Sequence, residues 1–389
     1  MGEPASPFCV GLAMRLTRLR LVDFRNYPAA DLEFPGGRVV VWGSNAQGKT
    51  NLLEAVVLVC QGRALRASGE AQLVRWGSEF AAVRAEVATR QRGEVRLEAR
   101  IAEGKRQIFI NGVKRRPADL IGVAPVVCFT VDDVEIVKGE PGERRRFLNL
   151  EIGSVSRSYY FGLLRYNRAL EQRNRLLKDI REGRAQQDQL GAWDDPLAQA
   201  GGQIVAKRAK FLAELAPLWG EAYHQIGGGA PSLALIYLPA LDGESGAQEP
   251  AVTAEHAQRL LLEAFQRARQ EDLARNLTTV GPHRDDVELM LEGRSLRVFG
   301  SQGEQRTAAI ALRLALANWI AAKRDEPPLL LLDDVLSELD AERRAGLLQA
   351  VAPGEQTIIT CADLAAVPAA ARQEATLIRV SGGKAEAVA

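Results

Sequence analysis

An apolar strand that runs into a glycine-rich loop and then directly into a helix leaves a chain few ways to fold. Here Arg38, Val39, Val40, Val41 and Trp42 precede Gly43-Ser44-Asn45-Ala46-Gln47-Gly48-Lys49-Thr50, which matches GxxxxGK(S/T). Asn51 then opens the apolar run Leu52-Leu53-Glu54-Ala55-Val56-Val57-Leu58. That strand–loop–helix context is what the phosphate-binding loop requires. The glycines let backbone N–H groups close around a β-phosphate, and the helix start favours the anion. Lys49 is expected to reach the β- and γ-oxygens, and the Thr50 hydroxyl to bind Mg²⁺. The spacing therefore predicts an ATP site on a parallel α/β sheet.

A second nucleotide element is Leu329-Leu330-Leu331-Leu332-Asp333-Asp334. An apolar run ending in two carboxylates reads as a central parallel strand whose carboxyl end faces the ligand. Asp333 is placed to hold Mg²⁺, directly or through water. Asp334 is placed to polarise an attacking water. Upstream, Phe299-Gly300-Ser301-Gln302-Gly303-Glu304-Gln305 opens an Ala/Leu-rich helix. Ser301 and Gly303 at a helix start make either a plain Ser N-cap or a second anion site. Their position just before the carboxylate strand favours the anion site. A spare cradle is useful if it closes over the nucleotide of a partner copy, which implies an ATP-dependent homodimer. Ser337-Glu338-Leu339-Asp340 has the look of a D-loop lining such an interface, with Asp340 near the nucleotide.

The chain has 389 residues, 47% of them apolar, and a formal net charge of +1. That balance excludes a whole-molecule field toward nucleic acid, so any DNA affinity must come from local patches. Cys9, Cys60, Cys128 and Cys361 show no CxxC spacing, which fits a reducing cytoplasm rather than a disulfide framework or zinc site. No apolar run is long enough to span a bilayer, so no membrane partner is expected. Residues 1–13 are expected to be a poorly ordered extension before Met14. Alternating apolar residues over 80–111, closed by Asn111-Gly112, predict an antiparallel meander. From 151 the apolar spacing turns helical, with helices expected over 157–182, 196–226 and 251–276. Strand-like alternation returns at Val287, Leu289, Leu291, Leu296 and Val298. The expected organisation is an ATPase lobe from 14–150 plus 277–389, interrupted by a helical lobe over 151–276. That block has no sustained heptad pattern, so short arms are expected rather than a long coiled coil.

Together these segments resemble the ABC-type ATPase head of the SMC/RecF-like family, an α/β P-loop NTPase fold with an inserted mainly helical lobe. The finer similarity is to its RecF-type members. It rests on Phe24-Arg25-Asn26-Tyr27, on Glu143-Arg144-Arg145-Arg146-Phe147-Leu148, on Gly281-Pro282-His283-Arg284-Asp285-Asp286 and on the run from Leu331 to Asp340. Val131 stands where the family usually has Pro, Asn149 stands where it usually has Asp, and no Q-loop glutamine is evident around 129–133. The resemblance implies a protein of recombinational repair that dimerises on ATP, hydrolyses it slowly and binds duplex DNA at gaps or single/double-strand junctions. It further implies that the protein helps load recombinase with RecR and RecO. An ABC transporter-like nucleotide-binding subunit is the alternative from another class. It calls for a Q-loop and a switch His, and Thr357–Cys361 holds no His. A non-hydrolysing ATP-binding scaffold is a third reading, against which both carboxylates of Asp333 and Asp334 speak.

Candidate DNA contacts are Lys114, Arg115 and Arg116 after the Asn111-Gly112 turn, and Arg165, Arg168, Arg173 and Arg175 along the first long helix. Lys207, Arg208 and Lys210 add to them on the next helix. A solvated helix face explains any one of these as well. No aromatic ladder interleaves them, so sequence-independent duplex binding is expected rather than base stacking. His283 reads as structural or as a switch residue. Arg63 and Arg66 are candidates to reach the nucleotide.

Overall fold

The computed structural model describes residues 14–65, 69–227, 229–241, 253–351 and 355–388. The extension expected at 1–13 and Arg66 lie outside the described residues. The chain divides into two compact units. The first runs to Asp133 and includes 222–229 and everything from Ile310 on; the second comprises 134–221 and 230–309.

The first unit opens with β1 (Arg15–Phe24), β2 (Tyr27–Glu33), β3 (Arg38–Trp42) and helix α1 (Lys49–Gln61). The expected meander follows as β4 (Phe80–Thr89), β5 (Gly93–Ala102), β6 (Lys105–Ile110) and β7 (Val113–Arg115), and then β8 (Val126–Thr130). In β4 and β5 the inward set Val83, Ala85, Val87, Val95, Leu97, Ala99 and Ile101 is buried while Arg84, Glu86, Glu94, Arg96 and Arg100 face solvent. That is the period-2 alternation of a half-buried sheet. These strands form an antiparallel sheet in the order β2-β1-β4-β5-β6-β7.

In the second unit, α2 (Val134–Lys138), α3 (Pro141–Val155), α4 (Arg157–Arg181) and α5 (Gly191–Gln225) precede β9 (Leu233–Leu238) and α6 (Ala254–Arg275). Then come β10 (Asp286–Leu291), β11 (Arg294–Ser295), the single turn α7 (Leu296–Phe299) and α8 (Gln302–Arg324). The α4 helix buries Tyr159, Gly162, Tyr166, Ala169, Arg173 and Leu177, a stripe at three- and four-residue spacing. Two features depart from the sequence reading. The unit begins at 134 and extends to 309, because α3 packs on β10 and Arg144 forks onto Asp286 at 2.6 and 3.0 Å. It also holds a three-stranded sheet, β11-β10-β9, whose strand β9 the helical spacing around it had hidden. The alternation expected through Val298 stops at Leu291, where Glu292 and Gly293 take positive φ and turn the chain.

The chain re-enters the first unit at Ile310, within α8, and continues with β12 (Leu329–Asp333), α9 (Ala341–Ala350), β13 (Thr357–Cys361), α10 (Ala369–Gln373), β14 (Ala375–Ser381) and β15 (Lys384–Val388). They complete a second sheet, β15-β14-β3-β13-β12-β8, parallel except for β15. Its central strands are buried throughout, as parallel strands covered on both faces must be. Helix α1 touches both sheets and buries ten of its thirteen residues, the mark of a core helix rather than a surface one. Truncating Leu53 to Ala there should cost about 2–5 kcal/mol. Among the described residues, no helix is long and apolar enough to cross a membrane.

Candidate functional site

The parallel sheet sets the geometry of the nucleotide site through its register. Val41 pairs with Thr360, and Thr360 pairs with Asp333, so the end of β3, the end of β13 and the end of β12 lie at one edge. Gly43 leaves that edge, and Gly48 caps α1 with no side-chain cap of its own. The first N–H groups of a helix have no intrahelical partner. They are therefore available to a phosphate.

The loop is clamped from both ends of the chain. Asn26 donates from Nδ2 to Gln47 O at 2.8 Å and accepts from Asn51 Nδ2 at 2.8 Å. The Tyr27 hydroxyl donates to Gly48 O at 3.0 Å. On the other side Gly382 N–H donates to Gln47 Oε1 at 2.7 Å, and Gly383 N–H donates to Gln47 O at 3.3 Å. Gly48 has φ 117°, and a Cβ on it would come within 2.6 Å of Asn26. A Cβ on Gly383 would lie 2.1 Å from Asn26 O. The motif glycine and a glycine far outside the motif are thus needed for the same close approach. Sequence reasoning assigned Asn26 and Tyr27 no role of their own, although the Phe24–Tyr27 segment had marked the family resemblance. Gly382 and Gly383 carried no local signal.

Lys49 is buried and donates from Nζ to Gly43 O at 2.6 Å and Ser44 O at 3.0 Å. Ser44, Asn45 and Ala46 are exposed along the outside of the loop, and Ala46 has a positive φ. The Thr50 hydroxyl donates to Asp333 Oδ1 at 2.8 Å, so the two oxygens expected to face Mg²⁺ already touch. A hydroxyl and a carboxylate are hard oxygen donors, and Mg²⁺ usually takes only one or two protein ligands beside phosphate and water. The residues therefore fit the ion; no group of three acidic, His or Cys ligands occurs among the described residues. Thr360 donates to the same Asp333 oxygen at 2.9 Å and accepts from Asp334 N–H at 2.9 Å. This hydroxyl, absent from the sequence reading, ties the two carboxylate residues together.

Asp334 has φ 56°, a left-handed conformation that costs a non-glycine residue energy. Its Oδ1 is buried and accepts no hydrogen bond. A lone buried acceptor costs about 1–3 kcal/mol or more when charged. That oxygen keeps its capacity to accept a hydrogen bond from a bound group. In the adjoining loop the Ser337 hydroxyl donates to Asp334 O at 2.6 Å. Asp340 caps α9, accepting from Arg343 N–H at 2.9 Å and from its guanidinium at 2.8 Å, and these bonds lower its pKa. Around the expected Q-loop, buried Asp133 pairs with Arg313 at 2.7 Å. Arg63 donates to Gln61 Oε1 at 2.8 Å.

In the second unit Ser301 caps α8 in a reciprocal box. Its N–H and hydroxyl both donate to Glu304 Oε2 at 2.8 Å, and its hydroxyl oxygen accepts from Glu304 N–H at 3.3 Å. A phosphate binding there must displace the Glu304 carboxylate. Gly303 is half-buried one residue into the helix. Beside Ser301, Val298 and Phe299 are 63% and 69% exposed.

The basic candidates separate sharply. Lys114, Arg115 and Arg116 are exposed, the first two on edge strand β7. Arg165, Arg168 and Arg175 are exposed along α4. Arg173 is not a DNA contact: it is 0% exposed and donates to Asp194 at 2.7 Å, Asp272 at 2.6 Å and Thr278 Oγ1 at 2.8 Å, with its guanidinium over the Phe265 ring. At 3.6 residues per turn it falls in the buried stripe of α4. Arg208 is likewise buried. It donates to Tyr159 Oη at 3.1 Å, Pro282 O at 2.7 Å, Asp285 Oδ2 at 2.6 Å and Asn149 Oδ1 at 2.8 Å. Asp285 also accepts from Tyr237 Oη and from Ala240 N–H. His283 is closed at both nitrogens, by the Tyr166 hydroxyl at 2.7 Å and Thr278 O at 2.9 Å. A carbonyl only accepts, so Nε2 carries the proton and Nδ1 accepts from Tyr166. Burial lowers its pKa, which favours the neutral ring. The Gly281–Asp286 segment is thus a hub for this unit.

The chain is similar to known proteins over most of its length. The family described as the RecF/RecN/SMC N terminal domain matches residues 15–384. The chain is 42% identical over 355 residues to the DNA replication and repair protein RecF of Symbiobacterium thermophilum, covering 90% of this chain and 92% of that one. It is 35% identical over 373 residues to the RecF of Geobacillus thermodenitrificans, covering 95% and 98%. Among solved structures it is similar to the recombination mediator RecF bound to ATP, with a TM-score of 0.88, 32% identity and coverage of 99% and 100%. An Smc head bound to the C-terminal winged-helix domain of ScpA shares the fold at 17% identity and a TM-score of 0.56, covering 96% of each chain.

Proposed function

The chain belongs to the RecF family of DNA replication and repair proteins, and from that premise we propose that it is an ATP-gated, DNA-binding dimer of recombinational repair. In this reading it closes on ATP, holds duplex DNA at gaps or single/double-strand junctions, hydrolyses ATP slowly and assists recombinase loading. The observation that carries the dimer is the pairing of exposed Ser301 with exposed Val298 and Phe299. Large apolar side chains beside a helix N-terminus are costly in water unless a second surface covers them. A partner copy presenting its phosphate loop would cover them and give Ser301 its anion.

The bonds described above support a role for each of the remaining residues. Lys49 exchanges its two loop carbonyls for the β- and γ-oxygens. Thr50 and Asp333 would hold Mg²⁺, which would supply positive charge against the transferred phosphoryl group. Asp334 offers its unpaired Oδ1 to the attacking water and accepts the proton. Thr360 keeps both carboxylate residues in place. Lys114, Arg115, Arg116, Arg165, Arg168 and Arg175 are the DNA-facing candidates, reading phosphates without reading bases. The RecFOR-pathway setting of the ATP-bound relatives supports RecR and RecO as partners. Buried free thiols at Cys60, Cys128 and Cys361 support a reducing, cytoplasmic setting.

Sedimentation of the native chain, Lys49→Met and Ser301→Arg, with ATP and Mg²⁺ and with or without duplex DNA, tests this reading. ATP should produce a dimer that binds duplex more tightly, and both variants should lose it. A native chain that stays monomeric and indifferent to DNA under all conditions sinks the proposal.

A further inference from the structure

The second unit contains a cavity of about 460 Å³ whose chemistry neither the nucleotide site nor the exposed basic helix explains. Its polar walls are Arg145, Arg146 and Asn149 on α3, Asn167 on α4, Arg208 on α5, and His283. No carboxylate lines it. A larger concavity of about 550 Å³ on the outer face of the antiparallel sheet shows that arginine alone does not produce this. There Arg18, Arg20, Arg84 and Arg96 alternate with Glu86, Glu94 and Glu98, and Arg84 is closed by Glu98 at 2.8 Å.

Arg208 and His283 are committed within the unit, but two other walls of the smaller cavity keep donors free. Arg145 makes one hydrogen bond, from Nη1 to Asp285 O at 2.9 Å, and Arg146 is exposed with no hydrogen bond or ion pair among the described residues. The nearby acids are committed elsewhere, Asp285 to Arg208 and Asp286 to Arg144. Burial, together with the cations of Arg208 and Arg284, lowers the pKa of Arg145 against the opposing pull of Asp286 and Asp285. The lining itself carries three guanidinium groups and no carboxylate.

Asn149 decides the sign of the site. Its side-chain oxygen accepts from Arg208 at 2.8 Å and from the Tyr159 hydroxyl at 2.9 Å. A guanidinium only donates, so the atom facing it must be the carbonyl oxygen. The Asn149 amide group is left with two N–H donors and no acceptor among the described residues. An Asp here would make the same two bonds inward and turn a negative oxygen outward.

We propose that this cavity is a phosphate-binding site, in which Arg145 and Arg146 fork onto the oxyanion and the Asn149 amide donates to it. Guanidinium groups match phosphate geometry in this way, and one bound phosphate satisfies several donors at once. The phosphate can be free or part of a small nucleotide, or it can belong to a nucleic-acid backbone.

Asn149→Asp isolates the site, because it retains the bonds from Arg208 and Tyr159 while replacing a donor with a charge. Calorimetric titration of the full-length native chain with inorganic phosphate should show this site in addition to the nucleotide cradle. In Asn149→Asp one phosphate should bind at least tenfold more weakly, with the melting midpoint not lowered and ATP–Mg²⁺ affinity unchanged. The double variant Arg145→Gln with Arg146→Gln should lose the same phosphate, and it carries the test if Asn149→Asp does not fold. Native stoichiometry and affinity for phosphate in either folded variant overturn the proposal. A salt titration of duplex binding then assigns the source. A slope reduced by about one in Asn149→Asp places a backbone phosphate in the cavity. An unchanged slope with phosphate binding lost assigns the cavity to free phosphate or a nucleotide. The phosphate titration needs neither ATP closure nor DNA, so its outcome is independent of the dimer reading.

Discussion

In the nucleotide cradle of the first unit, the buried Lys49 ammonium rests on two neutral carbonyl oxygens, and the buried Asp334 Oδ1 rests on nothing. In the hub of the second unit, buried Arg208 meets Asp285, Asn149, Tyr159 and a carbonyl, and buried Arg173 meets two aspartates and a threonine. Both regions take charge out of water, which costs several kcal/mol per ion unless it is answered. The hub answers it internally, with carboxylates that are themselves hydrogen-bonded. The cradle leaves the answer to whatever binds. Burial by itself therefore does not mark a functional charge; the identity of its partners does.

The largest expected effect falls where the charge is unanswered. Asp334→Asn should lower ATP turnover by about 10²–10⁴-fold, the usual contribution of a positioned base, with ATP still bound and the melting midpoint not reduced. Single-turnover hydrolysis and a thermal melt on the same variant check both halves. A large fall in stability would place Asp334 with the hub residues instead.

The hub should show the reverse. Arg208→Met leaves Asp285 buried with no cation and should cost about 3–5 kcal/mol of stability in urea unfolding. Adding Asp285→Asn should recover part of that cost, since the two residues are coupled. If Arg208→Met is nearly neutral for folding but impairs ATP or DNA binding, the contrast between the regions fails.

A smaller effect tests the clamp on the phosphate loop. Asn26→Ala removes the bond to Gln47 O and the acceptor for Asn51, at about 1 kcal/mol per bond, and should weaken ATP binding roughly tenfold. Titration with ATP in the presence of Mg²⁺ reads this directly, and native affinity would show that the loop holds its shape without Asn26.

The smallest effect is a pH dependence. Burial holds the folded His283 pKa below its ordinary 6.5. Below 6.5 the unfolded chain therefore takes up the proton more readily than the folded one. This contribution to stability is present above pH 6.5 and declines as pH falls toward the folded value. His283→Gln can keep bonds to Tyr166 and Thr278 without titrating, so its unfolding free energy should lose less between pH 7 and 5 than the native chain's. Parallel slopes for the two proteins would count against it.

What could be read from the sequence followed the range of the interactions involved. The phosphate loop, the Leu329–Asp333 strand and the long helices are set by local spacing, and they stand where that spacing placed them. Arg173 was misread as a surface cation although its own helix carried the correction, since Tyr166, Ala169, Arg173 and Leu177 share one stripe. The start of the second unit at 134 was not legible, because it depends on Arg144 meeting Asp286 across 142 positions. The same holds for Thr360 beside Asp333 and for Gly382 against Gln47, where |i−j| is 335. No window of local sequence contains both members of such a pair.

The strand order β14-β3-β13 has a consequence for how the protein is made. Strand β3 precedes the whole second unit in the chain, yet both of its sheet neighbours follow that unit, and so does the Gly382–Gly383 turn that grips Gln47. Until then β3 has two unpaired edges, a state prone to wrong pairing in a growing chain. The ATP site therefore matures only after β14 and the turn that follows it have been made. A product truncated before β14 would carry every residue of the phosphate-binding motif and still lack the structure that shapes it.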